Sequence, residues 1–367
     1  MDLKLKKDSS RIGYIDGLRA VAILSVIAYH YNRYTLPGYG DILNQPLTEF
    51  GAYGVQLFFM VSGYVIAMTI ERCGSWKEFL VRRFARLWPN MLLCSVITFV
   101  VINTLATRYK ASASLYDFLP SLTIIQPKFY NILVGRELFD WVDGVYWTLA
   151  IEVKFYIIYC VLYWFAKKNI VTVFFVYTFV AALLYVVMAV IFPDSVSRLF
   201  DFIFAARHMP WFFVGICTYA HRNGYPTKRS IYAVTLALVA ISLVAIFELD
   251  NQIIPRPLKI LTNVVVFSLW CCAYRYPIVQ RVLSFKVMTA IGAASYSLYL
   301  LHQEIGIKLI YGISDYFKFV GYQVLGVAIM VAGFMTVISY GIYLIYEKPI
   351  NSFLVNKFFP KKNAGGK

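Results

Sequence analysis

The chain is written as long apolar runs separated by short connections that are mostly basic. Ten runs are long enough to cross about 30 Å of hydrocarbon as helices. They span residues 18–34, 50–70, 87–105, 145–166, 170–192, 199–220, 231–247, 258–274, 289–312 and 320–346. The pattern predicts an all-α fold, a polytopic membrane helix bundle of about ten transmembrane helices. The eighth run is short and flanked by Pro255, Pro257 and Pro277. The longest connection, 106–144, carries a stretch at 114–125 that mixes apolar and polar residues at helical spacing around Pro120, which predicts an interfacial helix. Residues 1–350 read as one transmembrane domain and 351–367 as a short basic cytoplasmic tail. The basic start, Met1 to Arg11, precedes an apolar run without a small-residue cleavage site, so it reads as an uncleaved start-transfer segment.

The connections alternate in charge. If both termini face the cytoplasm, the inner segments hold 22 Lys and Arg and the outer segments 10. Basic residues gather on the cytoplasmic side, so this orientation is the expected one. The same bias accounts for the net charge of +16 without invoking nucleic acid, and it gives an inner rim that attracts anionic membrane lipids or an anionic cosubstrate.

Composition agrees with a membrane protein. The chain is 60% hydrophobic and 15% charged, with a mean hydropathy of +0.65. Cys94, Cys160, Cys217, Cys271 and Cys272 lie within apolar runs and read as small core residues; Cys73 lies in a basic loop. No CxxC or Cys/His ligand spacing occurs, so neither a structural disulfide nor a metal site is expected.

The chemistry sits where polar residues interrupt apolar runs. Arg19 and His30 share the first run, 11 residues apart. At about 100° per residue this is roughly three turns, so both point from one helix face, about 16 Å apart along the axis. His30 lies about four residues from the outer end of its run, roughly 6 Å below that surface. It reads either as a general base for a hydroxyl, with a reference pKa near ~6.5, or as a histidine satisfied by a backbone carbonyl. Glu152 lies about 10 Å below the outer surface and is the expected partner that orients His30; the other reading is a protonated carboxyl bonded within the bundle. Thr148 and Tyr156, at i−4 and i+4, share its helix face, whereas Lys154 is about 200° around the helix and does not pair with it. Arg82, Arg83 and Arg86 open the third run. Arg83 and Arg86 share one face and suit phosphate oxygens, unless the cluster is only a topological anchor. Gly51, Gly54, Ser62 and Gly63 read as close-approach positions; Ser62 has no base near it in sequence to make it a nucleophile. Arg207, His208, His302 and Glu304 lie inside other runs and are candidates for the same cavity. His221 reads as a loop residue.

Together these pieces resemble the membrane acyltransferase-3 family. The resemblance rests on Asp16-Gly17-Leu18-Arg19-Ala20 with His30, Gly54-Val55-Gln56-Leu57-Phe58-Phe59 with Ser62-Gly63-Tyr64, and Arg83-Phe84-Ala85-Arg86-Leu87-Trp88-Pro89. It continues through Trp147-Thr148-Leu149-Ala150-Ile151-Glu152 with Phe155-Tyr156, Ser295-Tyr296-Ser297-Leu298-Tyr299-Leu300-Leu301-His302 and Glu347-Lys348-Pro349, in family order across nearly the whole chain. It implies a multi-pass enzyme of the cytoplasmic membrane that moves an acyl group, most often acetyl from acetyl-CoA, to a hydroxyl of an extracytoplasmic or lipid-linked glycan. It further implies His30 as the catalytic histidine, Arg19 as an essential charge, and Arg83 with Arg86, beside Arg82, as the acyl-CoA site. No metal is implied. Thr148 stands where a serine is common, and Lys154 where an uncharged or acidic residue is usual, so the surroundings of Glu152 depart from the pattern. The rival reading is a secondary transporter whose charges line a solute path.

Overall fold

The structure is a computed structural model that describes residues 12–35, 50–192, 194–224 and 256–359; the seventh predicted run, 231–247, lies outside them. Every regular element among the described residues is helical. The principal helices are α1 (Gly13–Thr35), α2 (Gly54–Ile70), α3 (Trp76–Thr104), α4 (Phe118–Thr123), α5 (Pro127–Val134), α6 (Trp147–Ala166), α7 (Ile170–Ile191) and α8 (Asp194–Phe204). They continue as α9 (Met209–Arg222), α10 (Arg256–Arg275), α11 (Pro277–Leu283), α12 (Lys286–Leu301), α13 (Glu304–Phe317), α14 (Tyr322–Ile342) and α15 (Lys348–Phe358).

Six stretches are long and apolar enough to cross a membrane: Phe50–Ile70, Trp76–Thr104, Gly144–Ile191, Val196–Arg222, Leu258–Arg275 and Tyr322–Phe358. The third of these contains two predicted runs, joined at the short turn Lys167–Asn169. α1 has the length but is more polar, because Asp16, Arg19 and Arg33 lie along it. These apolar helices make the chain a membrane protein.

Two predicted runs differ from a single helix. The sixth, 199–220, is broken between Phe204 and Met209, where Ala205 adopts φ 50° and His208 precedes Pro210. The ninth, 289–312, is broken at His302 and Gln303, between α12 and α13. In both, the polar residues inside the apolar run mark the break. Irregular backbone deep in a bundle persists only where protein or a cavity satisfies it. At the second break the Glu304 N–H is satisfied by Asp143 Oδ2 at 3.2 Å.

Small residues set the helix spacing, as the sequence suggests. A Cβ at Gly63 would lie 2.0 Å from the carbonyl oxygen of Phe212, and one at Gly215 would lie 2.0 Å from that of Met60. α2 and α9 therefore touch backbone to backbone. Above this contact Phe59, Phe212 and Phe155 stack with centroid separations of 4.6 and 4.0 Å and tie α2 and α9 to α6. α1 packs along α12 and α2, which places its Arg19 face toward the centre of the bundle.

The 106–144 connection folds as short helices, α4 and α5, with Leu119, Ile125, Phe129, Ile132 and Leu133 exposed, the character expected of an interfacial segment. Cys94, Cys160 and Cys217 are buried core residues, whereas Cys271 is exposed because it lies on an outward face of α10.

Candidate active site

A cavity of about 680 Å³ opens between α1, α2, α3, α6 and α12. Its charged lining is Arg19, Arg83, Arg86 and Glu152; its hydroxyls come from Ser62, Thr148, Tyr156, Ser295, Tyr296 and Tyr299. Val55, Phe58, Phe59, Val61 and Val65 supply an apolar wall. A larger space of about 1000 Å³ adjoins it, lined by Asp16, Arg72, Glu347, Lys348 and Asn351. Arg19, Val65 and Arg86 line both, so the two spaces adjoin across these side chains.

Helix periodicity explains the shared lining. Thr148, Glu152 and Tyr156 are four residues apart on α6 and all face the cavity. Glu152 accepts hydrogen bonds from Ser62 Oγ at 2.7 Å and from the Tyr156 hydroxyl. Lys154 points elsewhere and donates to the Phe202 carbonyl. Arg83 lies over the rings of Phe79 and Tyr156, at 5.9 and 6.0 Å from their centroids, and its Nε has no hydrogen-bond partner among the described residues. A planar guanidinium held against aromatic faces with a free N–H is arranged to receive an anion.

The arginine trio divides. Arg83 and Arg86 meet in the cavity, as their i, i+3 spacing predicts. Arg82 lines neither space: its guanidinium is bound to Glu78 at 2.8 Å, one turn earlier on α3.

His30 and Glu152 do not meet. Glu152 spends its bonds on Ser62 and Tyr156, while the His30 ring contacts Tyr29 at 4.9 Å and His302 at 5.2 Å. His302 in turn contacts Tyr299, whose hydroxyl donates to Val145 O at 3.1 Å and accepts from Thr148 at 2.9 Å. His30 is thus joined to the cavity lining through His302 and Tyr299, and Glu152, the partner expected for it, bonds Ser62 and Tyr156 instead. The cause is helix rotation: similar depth does not make two side chains face each other.

Three other polar groups are placed by the fold; of these, Asp143 alone has no part in the sequence reading. Glu347 sits in a π-helical turn, Tyr343–Glu347, and accepts from Ser297 Oγ at 2.7 Å and Asn90 Nδ2 at 3.3 Å. Such turns aim a side chain out of the α-helical register. Asp143, in the loop before α6, is buried; burial, and then the nearby Glu304 charge, hold its carboxyl well above the usual carboxylate range. His208 packs between Phe59 and Trp147, each at 5.6 Å, behind the cavity wall. Among the described residues no group of three His, Cys, Asp or Glu is placed to hold a metal ion.

Comparisons with known proteins identify the family. A family model described as an acyltransferase domain, acyltransferase-3, matches residues 12–346. The O-acetyltransferase OatA of Staphylococcus aureus strain MRSA252 is 27% identical over 383 residues, covering 95% of this chain and 59% of that protein. The chain therefore spans about three-fifths of the length of that relative. The O-acetyl transferase of Shigella phage Sf6 is 26% identical over 147 residues, covering 39% of this chain and 43% of that protein. No solved structure matches. The matched region begins before α1 and runs into the π-helical turn, enclosing the whole cavity lining, and the chain belongs to the acyltransferase-3 family.

Proposed function

We propose that the protein is an O-acyltransferase that moves an acetyl group from cytoplasmic acetyl-CoA to a hydroxyl of an extracytoplasmic or lipid-linked glycan. The observation that carries this reading is the path itself. Its two adjoining spaces run past Arg72, Lys348, Arg19, Arg86 and Arg83, and Tyr299 on the lining leads through His302 to His30. A chain with phosphates at one end and a thioester at the other matches that order of charge and base. The family and the O-acetyltransferase relatives support the same chemistry.

In this scheme His30 takes the proton of the acceptor hydroxyl, whose oxygen attacks the thioester carbonyl. The oxyanion needs a donor that is not already engaged. Most cavity hydroxyls are spoken for, since Tyr296 donates to Leu87 O, Tyr299 to Val145 O, and Ser62 and Tyr156 to Glu152. Ser295 Oγ is buried, lines the cavity and has no hydrogen-bond partner among the described residues, so it is the donor we assign. Transfer of radiolabelled acetyl from acetyl-CoA to envelope glycans in vesicles containing the protein is the direct test. No labelled glycan in any fraction would reject the reading.

The arginines give a graded expectation. Arg83→Ala and Arg86→Ala should each weaken acetyl-CoA binding about tenfold or more, because charge-assisted phosphate contacts are lost. Arg86→Lys should restore only part, since a point charge does not reproduce a bidentate fork. Arg82→Ala should bind normally, because that side chain is committed to Glu78. Calorimetry with acetyl-CoA separates the three; equal losses at all three positions would make the cluster a topological anchor.

We further propose about ten spans with both termini cytoplasmic, on the strength of the charge bias. Single cysteines at Lys128 and Lys168, in a cysteine-free background, should then label from opposite sides of the membrane. An impermeant reagent that reaches both in intact cells would reject this topology.

One observation favours a carrier instead: the helices are broken at His208 and His302, and broken helices are common in secondary transporters. Solute uptake into vesicles without consumption of acetyl-CoA would establish that reading.

A further inference from the structure

His302 occupies the break between α12 and α13 and is fully buried. Its Nδ1 lies 2.8 Å from the carbonyl oxygen of Tyr299. A carbonyl oxygen can only accept, so Nδ1 carries the hydrogen. That bond fixes the tautomer: Nε2 of neutral His302 is a bare lone pair. It is buried and has no hydrogen-bond partner among the described residues. An apolar side chain would fill the same space without the desolvation cost of this orphaned acceptor. Two rings lie against His302 among the described residues: Tyr299, 5.6 Å away between centroids, whose hydroxyl already donates to Val145 O, and His30, 5.2 Å away and inclined at 60°. No hydrogen bond joins the His30 and His302 rings in this structure, but two imidazoles joined by one have centroids at about this separation, roughly 2.9 Å between nitrogens plus about 1.1 Å within each ring, so a turn of the rings suffices to form it.

We propose that His302 is a positioning residue for His30: when the acceptor binds and the rings turn into line, Nε2 of His302 accepts the N–H of the His30 imidazole and holds the other, unprotonated nitrogen of His30 toward the acceptor hydroxyl. The proposal rests on the acyl-transfer reading. The step balances. The hydroxyl O–H bond breaks and its proton moves to the free nitrogen of His30. The oxygen's electron pair forms the C–O bond to the thioester carbonyl. Collapse of the tetrahedral intermediate breaks the C–S bond, and the leaving thiolate takes the proton from His30. His302 neither gains nor loses a proton. It accepts the N–H of the transient imidazolium, while its own N–H stays on the Tyr299 carbonyl. The arrangement follows the general logic of a base oriented by a third group, with an imidazole where a carboxylate often stands.

The test uses the whole chain in membrane vesicles, with acetyl-CoA as donor and the vesicles' own envelope glycans as acceptor. His302→Leu should lower kcat about 100-fold and leave the KM for acetyl-CoA unchanged. His302→Gln, whose Oε1 can accept the same N–H, should recover at least tenfold of that loss. The Leu variant should melt no lower than the Gln variant, because it removes the orphaned acceptor. A His302→Leu enzyme with near-normal kcat would overturn the proposal. So would Leu and Gln variants that lose activity equally and in step with their melting temperatures. If the Leu variant does not fold, His302→Met, similar in length and without an accepting nitrogen, is measured against the same two outcomes. Wild-type vesicles that transfer no acetyl group reject the acyltransferase reading and the pair with it, whereas an active wild type with an active Leu variant rejects the pair alone.

Discussion

His30→Ala is expected to reduce acetyl transfer by about 10²–10⁴-fold, the range of a lost general acid–base group. The loss should fall on kcat. His30 lies about 16 Å along α1 from Arg19, so the cationic part of the path stays intact. Its ring contacts include Tyr29 and His302, and it is not among the residues that line the cavity. Acetyl-CoA affinity should therefore remain within about threefold of wild type, and the variant should insert and purify normally. Turnover in reconstituted vesicles, with calorimetry on the same preparation, checks both halves. Near-normal turnover would remove His30 from the chemistry and leave the broken helix at His302 as the remaining source of a base. Loss of donor binding together with turnover would mean that His30 shapes the donor path.

What was legible in the sequence follows from what is local in the chain. Three features along α6, namely Thr148 and Tyr156 beside Glu152 and Lys154 turned away, depend only on 3.6-residue periodicity, and the structure bears them out. The pairing of Arg83 with Arg86 is local in the same way. The separation of Arg82 was also readable, since Glu78 lies four residues before it on the same helix and is a ready ion-pair partner. Partners set by helix rotation were not readable. Ser62 meets Glu152 from 90 residues away, and Glu347 meets Ser297 from 50 residues away. The two helix breaks were half visible: Arg207-His208 and His302-Gln303-Glu304 are polar residues that no intact lipid-facing helix would carry at depth. Hydropathy averages over such interruptions and reports one long run. The glycines were read correctly in kind, as contact positions. Their partners, such as Phe212 against Gly63, required the fold.

Glu152→Gln is expected to lower turnover at least tenfold without weakening acetyl-CoA binding. In the structure the carboxylate shares its cavity with Arg19, Arg83 and Arg86 and accepts from Ser62 and Tyr156. It is the one acidic group lining that space among the described residues, so it offsets part of a cluster of three cations. Removing its charge leaves the arginines more attractive to an anion, so donor affinity should hold or rise. Two accepted hydrogen bonds fix the Ser62 and Tyr156 hydroxyls. Both hydroxyls bond the same oxygen, Oε1, which a glutamine can keep, so the substitution removes the charge and puts an NH2 donor where Oε2 stood. Residue 152 lines the cavity, and the added donor changes the wall against which the thioester is held. Glu152→Ala should cost more in stability than Glu152→Gln. It removes one of the carboxylates, with Asp16 and Glu347, whose charges offset these guanidinium groups, and it leaves the Ser62 and Tyr156 hydroxyls without their acceptor. Steady-state kinetics, acetyl-CoA calorimetry and melting temperature on both variants separate the roles. Weakened donor binding with normal turnover would make Glu152 part of the donor site, and a lowered melting temperature with normal turnover in the Gln variant would make it a brace between α2 and α6.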